Sequence, residues 1–303
     1  MRVVVMGAGA MGSWMGALLA RAGHDVTLVG RRDHVAVVNA HGLRVSGRTE
    51  LHVMINAVER AAEAPVPDVL LLAVKAYDTQ RALVEARPLL GQRTRVVSAQ
   101  NGLGNVERVA EATDERLAFS AVTTHGVTYV EPGHVKHAGV GYFRVGSPFN
   151  EHAAARDIAS LFQGAGIDAE FTDRVAGEIW AKVVVNASIN PLTAITGLQN
   201  GALLELPALR ELMQRVVEEA VDVARAEGAP LPDDDLLLRA RRVAELTAAN
   251  KSSMLQDIER GRRTEIDSIC GEIVQRGLRH NVDTPVNMTL TALVKGIEES
   301  TRR

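Results

Sequence analysis

The chain has 303 residues, which makes two domains the natural expectation. Hydrophobic residues make up 46% of it and the mean hydropathy is +0.01, values that are ordinary for a soluble globular protein. The formal net charge of −3 leaves no basic surplus for binding nucleic acid or a membrane surface, and no apolar run is long enough to span a membrane.

A glycine-rich turn, G-A-G-A-M-G, follows an apolar run at the amino terminus. Residues 3–6 predict a strand, the pattern from Trp14 to Leu19 predicts a helix, and residues 25–29 predict a second strand. This strand–turn–helix–strand context is the one that the dinucleotide motif requires, since its glycines allow the turn, the approach of a pyrophosphate and close helix packing. Contacts with the cofactor are therefore expected from Gly7, Ala8, Gly9, Ala10, Met11 and Gly12.

The end of the second predicted strand indicates which dinucleotide binds. It reads Gly30-Arg31-Arg32, with no carboxylate before Asp33. An NAD-preferring site would place Asp or Glu at this point to accept from the ribose hydroxyl, whereas arginine suits the 2′-phosphate of NADP(H). The alternative is a solvated arginine pair after a strand. We interpret the pattern as a preference for NADPH/NADP⁺ that depends on Arg31.

Strands and helices alternate through the rest of the first half. Strands are predicted at 69–74, 95–98 and 169–172, and helices at 78–90 and 153–164. Between them, residues 119–130, 134–137 and 142–145 predict a β-meander that closes the sheet edge. Lys75 and Asn101 follow two of the strands at their carboxyl ends, where open α/β sheets bind ligands. A solvated charge and a turn residue are the respective alternatives.

After Asp173 the strand signal disappears and helical periodicity takes over, in the segments 174–190, 203–227, 233–259 and 265–279. The sequence thus predicts an α/β fold class, with an N-terminal Rossmann-type doubly wound sheet followed by an all-helical C-terminal domain. The predicted boundaries are 1–172 for the NADP-binding domain and 173–303 for the helical substrate and catalytic domain.

A polar stripe interrupts the first of these helices. Lys182, Asn186 and Asn190 are four residues apart and so share one face, among apolar neighbours such as Trp180 and Ile189. A buried polar group without a partner costs roughly 1–3 kcal/mol, and a polar substrate would provide partners. The alternative is a lysine that reaches solvent beside two capping asparagines.

Two further positions depend on the predicted helices downstream. Asn250 and Ser253 are three residues apart on one predicted helix face, and Glu265 begins the next predicted helix. An exposed helix surface and an ordinary first-turn acid are the alternatives. Cys270 lies on an apolar stripe, so we expect a small core residue rather than a nucleophile. The nine histidines show no metal-site spacing, so no metal is predicted.

Five motifs, in order along nearly the whole chain, resemble those of ketopantoate reductases (2-dehydropantoate 2-reductases). They are G-A-G-A-M-G at 7–12, V-K-A at 74–76, Q-N-G at 100–102, A-K-x-x-x-N-x-x-x-N-P at 181–191 and K-S-S-M-L-Q-D at 251–257. That family joins a Rossmann domain to a helical domain and reduces ketopantoate with NADPH, on the route to pantothenate and coenzyme A.

The resemblance implies roles for individual residues. Lys182 would be the catalytic acid and Glu265 would contact the substrate. Arg31 and Lys75 would bind cofactor phosphates, and Asn101 is expected near both cofactor and substrate. The remaining members of the substrate pocket would be Asn186, Asn190, Asn250 and Ser253.

Departures from the family pattern are mild, since Arg32 doubles the basic position and His125 has no assigned role. Two other functions stay open: an NADPH-dependent reductase of another branched 2-oxo acid, and a catalytically silent NADP-binding sensor. We expect a cytoplasmic protein that binds a small 2-oxo acid, without nucleic acid or membrane partners. The sequence leaves a homodimer open.

Overall fold

The structure, a computed structural model, describes residues 1–301. The chain forms two compact units, one of Met1–Gln100 with Asn105–Val175 and one of Asn101–Gly104 with the residues from Ala176 onward. The predicted contiguous division at 172/173 stays a prediction. The structure adds that the four residues Asn101–Gly104 pack with the second unit.

Within residues 1–301 the first unit contains twelve strands. They are β1 (Arg2–Met6), β2 (Asp25–Val29), β3 (Leu43–Gly47), β4 (Leu51–Val53), β5 (Asn56–Val58), β6 (Val69–Leu72), β7 (Arg95–Ser98), β8 (Ala118–Thr123), β9 (Gly126–Glu131), β10 (His134–Gly139), β11 (Phe143–Gly146) and β12 (Ala169–Phe171). Its helices are α1 (Ala10–Arg21), α2 (Arg32–His41), α3 (Thr79–Ala86), α4 (Asn105–Ala112) and α5 (His152–Gly164).

Eight of these strands form the main sheet, in the order β12-β11-β8-β7-β6-β1-β2-β5. All neighbours pair in parallel except β8 and β11, which are antiparallel. The central strand β6 reads V-L-L-L and is buried throughout, as expected for a parallel strand covered on both faces. This arrangement confirms the predicted Rossmann-type doubly wound sheet.

The predicted meander at residues 119–145 is wrong. β8 and β11 join the main sheet, whereas β9 and β10 form a second sheet of four strands in the order β4-β3-β10-β9. β10 pairs in parallel with β3, with Arg44 opposite His134, so the partner strand lies some ninety residues earlier in the chain. Turn signals between neighbouring strands cannot reveal such a distant partner, and β3 itself was not predicted.

The second unit is helical, as predicted, and its helices are shorter and more numerous than the periodicity indicated. They are α6 (Val175–Thr196), α7 (Ala202–Glu205), α8 (Pro207–Ala226), α9 (Leu236–Leu246), α10 (Ser253–Glu259), α11 (Cys270–His280) and α12 (Pro285–Ser300). The predicted helix 233–259 is two helices joined by a loop, and α12 was missed. In contrast, α6 continues past its expected end through Pro191 to Thr196 because its apolar residues there are buried.

Candidate active site

The glycine-rich turn connects β1 to α1 in the first unit. The backbone N–H groups of Gly7 and Ala8 both donate to the carbonyl of Val29, over 3.1 and 2.9 Å, which ties the turn to the end of β2. Gly7 has a φ of +105°, a conformation that side chains with a Cβ rarely adopt. A Cβ on Gly12 would overlap the Gly7 carbonyl oxygen, so only glycine lets α1 begin this close to the turn.

The start of α1 fits the pyrophosphate of a dinucleotide. A Cβ built on Gly9 would meet no atom within 4 Å, so a ligand has room to approach the backbone there. No side chain caps the helix, and its first turn has no acidic residue, so the positive end of the helix dipole is available to an anion. Ala10 and Met11 contribute the first helical backbone groups at this point.

Both basic residues assigned to the cofactor lie beside this turn. Gly30 packs so closely on the turn that a Cβ would lie 2.7 Å from that of Ala8, and the exposed Arg31 follows it at the start of α2. A Cβ on Gly7 would lie 2.6 Å from the backbone nitrogen of Val74, and the half-buried Lys75 comes next. Both residues therefore follow the carboxyl ends of parallel strands, beside the glycine-rich turn.

In the second unit, the polar stripe predicted on residues 182–190 lies on one uninterrupted helix, α6. Lys182 and Asn186 are half-buried and Asn190 is buried, among the apolar residues Trp180 and Val183. Because residues four apart share a helix face, the ammonium and the two amides project to the same side. The stripe thus has the spacing and burial of a polar site inside an apolar packing environment.

Glu265 carries the negative charge that raises the pKa of Lys182. It lies just before a short 3₁₀ turn, Ile266–Ser268, and only 5% of it is exposed. Desolvation lowers the pKa of Lys182 to about 8, and the opposing effect of the Glu265 charge is smaller. An amine with a pKa near neutrality can both hold and release a proton at working pH, which is the property that a general acid needs.

Asn101 belongs to the same cluster. Its amide nitrogen donates to Glu265 Oε2 over 3.3 Å. The loop that carries it is fixed by the bond from the Leu103 N–H to the Ser268 carbonyl, 2.9 Å long. Gly102, at φ +90°, has no space for a Cβ, which would lie 2.5 Å from that same carbonyl oxygen. Lys182, Glu265 and Asn101 thus form one polar cluster within the second unit.

Asn250 and Ser253 are placed differently from the prediction. They do not share a helix face, because Asn250 lies in the loop after α9 and Ser253 is the first residue of α10. Both are exposed. The periodicity of residues 233–259 predicted one continuous helix. The structure has a break because Ser252 is the N-cap of a new helix, α10: its hydroxyl accepts from the Leu255 N–H over 3.1 Å.

Two polar residues to which the sequence analysis gave no role hold the loops next to predicted site residues. Gln100 donates to the Val74 carbonyl over 2.9 Å and to Thr79 Oγ1 over 2.8 Å, which links the ends of β6 and β7. Asn200 is buried, and its N–H donates to the Asn250 carbonyl over 3.0 Å. Gln100 was visible as part of Q-N-G, whereas no local pattern marked Asn200.

His125 packs among aromatic rings of the first unit and does not belong to the polar cluster of Lys182, Glu265 and Asn101. It packs at 4.6 Å between ring centroids against Trp14, and its Nδ1 accepts from the Gly141 N–H over 3.1 Å. Burial, assisted by His137, lowers the pKa of His125 to about 4, so the ring is neutral at physiological pH. Cys270 is fully buried as predicted, and burial raises the pKa of its thiol.

Residues 1–301 lack two features. No helix in that range is both long enough and apolar enough to cross a membrane. The same residues contain no group of three or more His, Cys, Asp or Glu side chains arranged to hold a metal ion.

Comparison with known proteins identifies the family. Residues 3–149 match the family described as "Ketopantoate reductase PanE/ApbA", and residues 174–298 match "Ketopantoate reductase PanE/ApbA C terminal". The chain is 40% identical over 299 residues to the 2-dehydropantoate 2-reductase of Archaeoglobus fulgidus, covering 98% of each protein. It is 34% identical over 301 residues to that of Vibrio cholerae, covering 99% of each.

Solved structures agree with the sequence relatives. A PanE/ApbA family ketopantoate reductase from Ralstonia eutropha JMP134 matches with a TM-score of 0.93 and 38% identity over 100% of both chains. A D-mandelate dehydrogenase, solved with NADH and anilino(oxo)acetate, matches with a TM-score of 0.94 and 27% identity, again over 100% of both. With both family regions matched in order and full-length relatives at this identity, the chain belongs to the ketopantoate reductase family and is an oxidoreductase with a nicotinamide cofactor.

Proposed function

We propose that this protein reduces 2-dehydropantoate (ketopantoate) to pantoate with NADPH, a step of pantothenate and coenzyme A biosynthesis. The observation that carries the proposal is the cluster of Lys182, Glu265 and Asn101, in which an amine with a pKa near 8 lies under the influence of a buried carboxylate. Family membership supports it, because relatives with this name match over the whole chain.

Lys182 supplies the proton in this mechanism. When bound, the reduced nicotinamide supplies a hydride to the ketone carbon, and negative charge develops on the ketone oxygen. The Lys182 ammonium stabilises that charge and donates its proton to the oxygen, which yields the alcohol and a neutral amine. The lowered pKa of Lys182 favours this donation, since burial destabilises the charged form that the reaction discharges. Solvent then returns a proton to the amine.

Glu265 and the amides give the site its selectivity. Ketopantoate carries a carboxylate, a ketone and a terminal hydroxyl group, and a carboxylate side chain can accept a hydrogen bond from that hydroxyl. Glu265 is the buried acceptor of the cluster, and Asn101 Nδ2 holds its Oε2. Asn186 and Asn190, with Asn250 and Ser253, provide neutral donors for the substrate carboxylate.

The first unit would hold the cofactor. The open space at Gly9 and the uncapped start of α1 fit a pyrophosphate. Arg31 is exposed directly after β2, where a 2′-phosphate would lie, and Lys75 adds a second positive charge at the carboxyl end of β6. The structurally similar D-mandelate dehydrogenase was solved with NADH, so the fold alone does not select NADPH. The proposed preference for NADPH therefore depends on Arg31.

A second candidate function is the reduction of a different 2-oxo acid. The whole-chain likeness to a D-mandelate dehydrogenase supports it, because that relative differs in substrate while sharing the fold. The two functions make different demands on Glu265, since the 2-oxo acid that corresponds to mandelate carries a phenyl ring on its ketone carbon, where ketopantoate carries a quaternary carbon with two methyl groups and the hydroxymethyl group. A buried acceptor opposite a phenyl ring would lose its partner.

A substrate panel tests the proposal. The purified protein should reduce ketopantoate with the highest kcat/KM, ahead of phenylglyoxylate and of 2-oxo-3,3-dimethylbutanoate, which has a methyl group in place of the hydroxymethyl group. A fully buried hydroxyl acceptor can discriminate by up to ~10⁴–10⁵-fold, and a partly solvated one by less. Equal turnover of ketopantoate and its methyl analogue would remove Glu265 as a hydroxyl acceptor, and with it the argument for ketopantoate. A Glu265→Ala variant should lose most of the discrimination.

The cellular location and the oligomeric state are separate parts of the proposal, and separate measurements test them. We propose a cytoplasmic enzyme with a small-molecule substrate and no nucleic acid partner. A homodimer stays a prediction, which light scattering on the purified chain would test.

A further inference from the structure

The segment that carries Glu265, between α10 and the turn Ile266–Ser268, has no regular secondary structure, and side chains accept hydrogen bonds from its backbone on both sides of Glu265. The N–H of Thr264 donates to Glu298 Oε1 over 2.7 Å. On the other side, the N–H of Ile266 donates to Thr264 Oγ1 over 3.2 Å. The backbone on both sides of Glu265 is therefore held by hydrogen bonds to side chains, and the shorter one ends on a carboxylate.

Helix α12 supplies that carboxylate. Glu298 is 8% exposed, an unusual degree of burial for an acid, and the Thr264 it holds is 1% exposed. One helical turn earlier, Lys295 Nζ pairs with Asp267 Oδ1 at 2.5 Å. Residues three apart lie on one helix face, so α12 contacts the chain one residue before and two residues after Glu265 from a single side.

The same segment positions Asn101. The carbonyl of Glu265 accepts from the N–H groups of Ser268 and Ile269, over 3.0 and 3.2 Å, which forms the short turn. The Ser268 carbonyl in turn accepts from the Leu103 N–H in the loop that carries Asn101. A shift of the segment would therefore move Glu265 and loosen its contact with Asn101 together.

We propose that Glu298 is a positioning residue: through the Thr264 N–H it holds Glu265 at the place where Glu265 accepts the hydroxyl group of the substrate. This inference rests on the proposed function. Charge-assisted hydrogen bonds are shorter and stronger than neutral ones, which suits a bond that must fix an irregular segment.

The proposal predicts a defect that is largest in hydroxyl recognition. Without Glu298, the Thr264 N–H loses its acceptor and the Glu265 carboxylate moves. Displacements of about 1 Å can cost on the order of 10²-fold in activity, so Glu298→Ala should lower kcat/KM for ketopantoate by about 10- to 100-fold. The effect should appear mainly in KM, because the hydroxyl bond is present in both the ground state and the transition state. For 2-oxo-3,3-dimethylbutanoate, which has no hydroxyl group to recognise, kcat/KM should fall much less, because only the influence of the Glu265 charge on Lys182 is shared by both substrates.

A double-mutant cycle separates positioning from a general loss of structure. In a Glu265→Ala background, adding Glu298→Ala should cause no further loss with ketopantoate, because the carboxylate that Glu298 positions is already absent. Glu298→Gln keeps an oxygen acceptor at the same length and should restore most of the activity, which tests the role even if the alanine variant folds poorly. Glu299→Gln is the matched control, since Glu299 is the exposed neighbouring acid on the same helix.

Failure of the positioning role gives a different experimental result from failure of the proposed function. If wild type does not reduce ketopantoate, the proposed function fails, and the positioning role of Glu298 in hydroxyl recognition fails with it. If wild type is active, equal losses with both substrates, or additive losses in the double variant, would overturn the positioning role. A selective loss with ketopantoate, rescued by Glu298→Gln, would support it.

Discussion

Raising the pH should inactivate the enzyme by deprotonating Lys182. Burial lowers the pKa of this amine from 10.5 to about 8, against the opposing influence of Glu265. About 90% of the side chain is then an ammonium at pH 7, and about 10% at pH 9, by the ordinary titration relation. Because only the ammonium can donate the proton, kcat/KM for the 2-oxo acid should fall about tenfold for each pH unit above 8.

The assay follows the loss of NADPH absorbance between pH 6 and pH 10 at saturating cofactor, in wild type and two variants. Lys182→Arg carries a cation that does not deprotonate in this range, so its rate should be lower by about 10²-fold or more and nearly independent of pH. Glu265→Gln removes the charge that raises the pKa of Lys182, so the fall in activity should begin at a lower pH. A wild-type profile that stays flat to pH 10, or an identical fall in Lys182→Arg, would refute Lys182 as the proton donor.

Two further predictions concern the cofactor and the stability of the helical unit. Arg31→Ala should raise KM for NADPH at least tenfold and leave KM for NADH nearly unchanged, because the exposed guanidinium beside the turn is proposed to contact only the 2′-phosphate; equal changes with both cofactors would contradict that role. Arg276→Ala should lower the free energy of unfolding by ~3 kcal/mol in urea denaturation, because it breaks a largely buried ion pair with Glu227 at 2.6 Å, whereas the exposed Arg279→Ala should change it little.

The features that the sequence predicted correctly are those whose signal lies within about a dozen residues. The glycine turn and the stripe from Lys182 to Asn190 are of this kind, since a turn conformation and a helix face are local properties. Burial then follows from composition: a lysine between Trp180 and Val183 has to be partly desolvated, and the lowered pKa is the consequence.

Features that depend on distant partners were missed. The parallel pairing of β10 with β3 divides the expected meander between two sheets, and neither strand carries a mark of the other. The bond from Thr264 to Glu298 was missed for the same reason, whereas Asn101 and Glu265, which are 164 residues apart, were both expected at the substrate through the family resemblance alone. Polar residue types identified the chemistry of the cluster, but the residues that hold it in place are visible only in three dimensions.

The two adjacent serines of the K-S-S-M-L-Q-D motif test the difference between a residue that binds the substrate and one that holds the site in place. Ser252 is buried, caps α10 and accepts from Thr193 Oγ1 over 2.7 Å, whereas Ser253 is exposed at the first position of the helix. Ser252→Ala removes a cap and leaves the Thr193 hydroxyl without that acceptor, so it should lower the free energy of unfolding by ~1–2 kcal/mol.

Ser253→Ala should leave unfolding unchanged and raise KM for the 2-oxo acid, if its hydroxyl is one of the donors to the substrate carboxylate. Urea denaturation and steady-state kinetics on the two variants provide the comparison, with each serine as the control for the other. A rise in KM confined to Ser252→Ala would show that the motif acts on the substrate through the capped helix, and Ser253 would then have no place among the substrate-binding residues.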